Sequence, residues 1–152
     1  MNKKLLHKFL KEDELKKISN KIREVEQTTA GEIVVSIKEK KNFMERSKSV
    51  RELAEKEFVK AGITKTKGST GILIFIILTS RQFYILGDKK INDKIEQSVW
   101  DSIAKNMSEH FIAGNFCDGI LAGLENCGKT LRTHFPIQPD DINELPNEVR
   151  LG

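Results

Sequence analysis

The residues best suited to chemistry are oxygen-bearing side chains that stand beside glycine at the ends of predicted strands. Glu32 follows Gly31, Ser69 and Thr70 lie between Gly68 and Gly71, Asp88 follows Gly87, and Asp93 comes shortly after. Hard cations such as Ca²⁺ gather several carboxylate, hydroxyl and carbonyl oxygens, and loops with glycine can turn their main-chain carbonyls inward. A divalent cation site is the sharp reading of Glu32, Ser69, Thr70, Asp88 and Asp93. The plain reading is that Glu32 and Asp88 are solvated residues flanking strands and that Asp93 caps a helix. No contiguous ligand loop of the EF-hand kind is present.

Nucleophilic and acid-base chemistry has poorer candidates. His7 lies in a mixed N-terminal segment, His110 near the far end of a long helix and His134 at the start of the tail, so none is expected beside the carboxylates. Cys117 and Cys127 are separated by nine residues, which suits neither a redox pair nor a zinc site, and they read as small buried thiols without a disulfide. A hydroxyl just before a strand, as at Ser69 and Thr70, is ordinarily a turn residue. No catalytic residue is identified.

The elements that must position these residues follow from periodicity. Leu15, Ile18, Ile22 and Val25 mark an amphipathic helix from about Glu12 to Gln27, and the β-branched run Glu32 to Lys38 marks the first strand. A second helix runs from about Ser47 to Ala61 and stops at Gly62. Gly71 to Leu78 is a buried apolar strand, and Phe83 to Leu86 returns from a short turn as a third. Ile95, Val99, Ile103, Met107 and Phe111 define a third helix ending at Gly114, with Asn92 or Asp93 as its expected cap. The last helix, about Phe116 to Leu131, carries Gly119 and Gly123, which predict a close helix or sheet contact. The fold class expected is a three-layer α/β/α sandwich with a small mixed sheet, in the order α-β-α-β-β-α-α.

Joining the first two strands by a helix is most simply a right-handed parallel crossover, and the hairpin then makes the third strand antiparallel to both. The starts of strands one and two and the end of strand three therefore meet at one sheet edge. Gly31-Glu32, Lys67 to Gly71 and Gly87-Asp88 are expected to converge there, with Asn92-Asp93 close behind.

Size, charge and hydropathy limit the rest. The chain has 152 residues and 38% hydrophobic composition, enough for one domain with its own core. Its longest apolar run falls far short of the roughly 20 residues that span a bilayer, and no export signal is visible, so a cytoplasmic protein is expected. The net charge is +4, but the segment from Pro136 holds Asp140, Asp141, Glu144 and Glu148 against Arg150, which is −3 and leaves +7 on the body. The reading divides the chain into a domain over residues 1–135 and an extended acidic tail over 136–152, packed down through Ile142, Leu145 and Val149. Lysines interleaved with glutamates make a solvated mixed-charge surface, and sparse aromatics speak against nucleic-acid binding.

The order of Thr29-Ala30-Gly31-Glu32-Ile33-Val34-Val35, the helix end Ala54 to Gly62, Lys67-Gly68-Ser69-Thr70-Gly71-Ile72-Leu73-Ile74, and Gly114-Asn115-Phe116 with Gly119 and Gly123 resembles the TPM domain family over about residues 10–135. Ile85 to Asp93, Trp100 to Ile103 and His134-Phe135-Pro136 look like its short, soluble bacterial branch. The resemblance implies an α/β/α sandwich, calcium or another divalent ion at loops on one sheet edge, and acid phosphatase activity as in plant members. It carries over Asp93 as the acidic position after the third strand. Where many members have Asp-Asn before the second strand, this chain has Ser69-Thr70, one carboxylate fewer. The expected function is a monomeric binding module for a protein partner, organised by the cation. The alternative is a metal-dependent acid phosphatase-like hydrolase, in which the cation would polarise a phosphoryl oxygen.

Overall fold

A computed structural model describes residues 3–66, 68–137, 139 and 145–152. Helices α1 (Lys3–Phe9) and α2 (Glu12–Glu26) precede β1 (Glu32–Lys38), and α3 (Val50–Lys60) leads to β2 (Gly71–Ile77) and β3 (Gln82–Gly87). Then follow α4 (Lys89–Lys94), α5 (Gln97–Ile112), α6 (Phe116–His134) and, at the end of the chain, β4 (Arg150–Leu151). The sheet order is β3-β2-β1-β4, with β1 parallel to β2 and β4 and β3 antiparallel to β2. The expected α/β/α sandwich with a mixed sheet is what the chain builds.

Strand alternation explains the layers. Side chains of successive strand residues leave on opposite faces, so Ile33, Val35, Ile37, Ile72, Ile74 and Ile76 enter a core shared with α1, α2, α5 and α6. Val34, Leu73, Phe75 and Ile77 face the other way, onto Leu53, Ala54 and Phe58 of α3 and onto Ile63. A fully buried aliphatic side chain contributes about 1.5–3 kcal/mol. β2, covered on both faces, is therefore the strand most firmly held, and it reads in the sequence as an unbroken apolar run.

Helix α6 packs against α5 and α2 through its glycines. A methyl group at Gly119 would meet the Phe111 ring at 2.6 Å, and one at Gly123 would run into Met107 Sδ. The close contact expected at this ridge is thus between α6 and α5.

Three features depart from the expectation. The N-terminal segment forms α1, whose Leu6 and Leu10, just past its end, are fully buried. The helix after β3 is two helices: Ile95 is extended, with φ −125 and ψ 122, and separates α4 from α5. Asn92 and Asp93 accordingly lie inside α4 and cap neither helix; Asp88 caps α4, and Glu96 stands at the start of α5. Finally, the last residues join the sheet, with Arg150 and Leu151 in register with Ser36 and Ile37. Leu145 and Val149 pack down as expected, whereas Lys67, Asp140, Asp141, Ile142 and Glu144 lie outside the described residues.

Candidate functional site

The sheet register brings the expected loops together. Glu32 pairs with Gly71, and Ile72 with Gly87. Main-chain bonds stitch the three segments at this edge: Glu32 N–H donates to Thr70 O (3.3 Å), Asp88 N–H to Gly71 O (2.9 Å) and Lys90 N–H to Ser69 O (3.2 Å). Gly71 is required at the junction, because a Cβ there would run into Ile63 Cγ2.

The side chains have more individual fates. Asp88 Oδ1 accepts the Lys89 N–H at 2.7 Å, an N-cap bond, while Oδ2 is buried without a hydrogen-bond partner. Ser69 takes a left-handed backbone with φ 51, uncommon for a residue with a Cβ. Thr70 is buried and its hydroxyl donates to Ala30 O at 3.3 Å. Asp93 is exposed on α4. Glu32 is only 7% exposed, and its Oε1 accepts the N–H of Leu145 at 2.9 Å. Ser69, Thr70 and Asp88 therefore share one junction, Glu32 faces the C-terminal segment, and Asp93 stands outside on the helix.

Glu26, at the end of α2, was not legible as a member of this edge. Its Oε2 accepts the Ile33 N–H at 2.8 Å and its Oε1 is buried without a partner. Ile33 points its N–H away from β2, to a stretch of β1 that β4 does not reach, so the carboxyl closes an open strand edge. Burial pushes its pKa up to about 8, the Ile33 N–H pulls the other way, and the charge of nearby Glu32 adds to the rise. At neutral pH this acid is largely protonated. In the sequence it is one more glutamate on a Lys- and Glu-rich helix, and only its place in the last turn before a strand hinted at anything else.

A cation here would be served chiefly by Asp88 Oδ2, with hydroxyl and carbonyl oxygens around it. Among the described residues there is no group of three or more His, Cys, Asp or Glu side chains that could hold a metal. Acid-base groups are also scarce. His7 Nδ1 donates to Leu10 O at 3.2 Å, within the α1–α2 turn. His134, expected away from the edge, is in fact carried to this end of the sheet by α6, since Phe135 O accepts the Ala30 N–H. Its Nδ1 donates to Thr130 O at 3.0 Å. Both cysteines are buried, and desolvation raises their pKa to about 11 at Cys117 and about 12 at Cys127.

The TPM domain pattern matches residues 6–130. This chain belongs to the TPM domain family. Its fold is similar to the NMR structure of BA42 protein from the psychrophilic bacterium Bizionia argentinensis, at 35% identity and a TM-score of 0.85, covering 95% of this chain and 96% of that one. The N-terminal domain of a protein from P. gingivalis shares the fold at 16% identity and a TM-score of 0.67, over 84% of this chain and 79% of that one. No curated protein matches. The TPM domain match takes in β1, β2 and β3, helices α2 to α5 and most of α6, while β4 lies beyond it, and among the described residues no helix is long and apolar enough to cross a membrane.

Proposed function

We propose that this TPM domain is a monomeric binding module that works in the cytoplasm, taking a divalent cation, calcium first, at the β1/β2/β3 edge and presenting the ordered loops to a protein partner. The observation that carries the reading is Asp88 Oδ2, a buried carboxylate oxygen without a partner at the junction of Ser69, Gly71 and α4. An orphaned buried oxygen costs about 1–3 kcal/mol, more when charged, and a bound cation would relieve it. Asp88 would be the principal ligand, with Ser69 and Thr70 supplying neutral oxygens and Asp93 and Glu32 the surrounding negative charge. Glu32 commits one oxygen to Leu145. A ligand set so poor in free carboxylates predicts weak affinity, on the order of 10⁻³ M.

Binding is favoured over hydrolysis because, among the described residues, no group at the edge is arranged to activate water or attack phosphorus. The thiols are buried and hold their protons. His134 has one ring nitrogen engaged within its own helix.

Calcium titration followed by amide NMR tests the proposal. Saturable shifts centred on Ser69, Asp88 and Asp93 that vanish in Asp88→Asn are expected. Asparagine is as good a helix cap as aspartate, so the variant removes charge without removing the cap. Absence of saturable shifts at millimolar calcium would sink the reading.

A further inference from the structure

At the opposite end of the sheet, where β2 finishes and β3 begins, lies a groove of about 560 Å³. Its wall is a continuous row of aromatic rings from four elements: Phe83 meets Phe111 at 5.3 Å, Phe111 meets Phe116 at 4.7 Å, and Phe116 meets Phe9 at 5.3 Å between centroids. Ile112, 87% exposed, stands at the rim. The volume falls within the range of small-molecule sites, about 300–1,000 Å³, and the apolar lining is typical of them.

The charged side chains that line the groove itself are of one sign. Lysines and glutamates are mixed over most of the surface, yet among the described residues the lining holds Lys8 and Arg81 and no carboxylate. Neither cation makes an ion pair among the described residues. Arg81 is held in the β2–β3 turn with φ 52, its N–H donating to Leu78 O at 3.2 Å. Among the described residues the uncharged polar side chains of the lining are Gln82 and Ser108.

We propose that this groove binds a medium-chain aliphatic carboxylic acid, with the acyl chain along the phenylalanine wall and the carboxylate between Lys8 and Arg81. An acyl chain makes no hydrogen bonds along its length. A peptide, sugar or nucleotide would bring polar groups into a wall with few partners, and burying such groups unpaired is costly. The two cations supply what the one polar end of a fatty acid requires. The inference is independent of the cation edge, which lies at the other end of the strands.

Amide NMR titration with decanoate, decan-1-ol and decyltrimethylammonium tests it. Decanoate is expected to give saturable shifts at Lys8, Arg81, Phe83 and Phe111. Decanol should bind about tenfold more weakly, and the ammonium should give no saturable shift there. The double variant Lys8→Gln/Arg81→Gln should bring decanoate down to the level of decanol, and Ser108→Trp, which fills the groove, should abolish both while leaving distant resonances in place. The proposal is overturned if decanoate gives no saturable shift below its micelle concentration, or if decanol binds equally well. It is also overturned if an acidic aromatic peptide shifts these residues where decanoate does not.

Discussion

The main-chain N–H of Leu145 donates to Glu32 Oε1 at 2.9 Å, a bond that spans 113 residues and fastens the C-terminal segment to the first residue of β1. Five residues later the chain enters the sheet as β4, and Arg150 Nε reaches Glu57 on α3 at 3.3 Å. The carboxylate expected to serve a cation thus has a structural duty of its own.

Replacing Glu32 by alanine leaves the N–H of half-buried Leu145 without this acceptor, which should cost about 1 kcal/mol. Glu32→Gln keeps an acceptor oxygen and should cost less. Urea unfolding of the two variants gives the comparison, and equal losses would mean that the bond carries no weight.

Glu26 should make stability depend on pH. Its folded pKa of about 8 lies above the 4.5 of a free glutamate, so between these values the folded state holds a proton that the unfolded chain has released. Its contribution is fully present below the lower value and is lost as pH rises through the upper one. Unfolding midpoints for the wild type should fall between about pH 5 and about pH 9 relative to Glu26→Gln, which keeps an acceptor for Ile33 and does not titrate.

Asp88→Ala should cost about 1 kcal/mol through loss of the α4 cap, while Asp88→Asn should be close to neutral in the absence of cation. Thermal melts in a chelating buffer separate this structural role from any ligand role.

Alanine at Gly119 or Gly123 would ordinarily favour a helix by about 1 kcal/mol. Here the added methyl group meets Phe111 or Met107 inside contact distance, and overpacking of about 1–3 kcal/mol should prevail. A raised melting temperature in either variant would show that α5 yields easily.

Cys117 and Cys127 should resist an aromatic disulfide reagent at about pH 8 in the folded protein and react promptly in denaturant, because the thiolate is the nucleophile and burial suppresses it. Rapid labelling of both thiols under native conditions would contradict the burial.

What the sequence determined by itself is the sandwich and the edge. The double-faced apolar run of β2, the amphipathic stripes of α2, α3 and α6, and the topology of a helix crossover followed by a hairpin suffice to bring Glu32, Ser69, Thr70 and Asp88 to one end of the sheet. Periodicity reports which face of an element is buried, and topology reports which ends meet. Neither reports which polar atom bonds which. Tertiary structure alone decided that Glu26 closes the stretch of β1 that β4 does not pair, that Leu145 returns to Glu32, and that an extended Ile95 leaves Asp93 on the outside of a short helix. It also assembled the groove, whose four phenylalanines come from α1, β3, α5 and α6 and have no common spacing in the chain. Such contacts depend on distances between elements set by the packing of all the layers together, and a local pattern of residues carries no record of them.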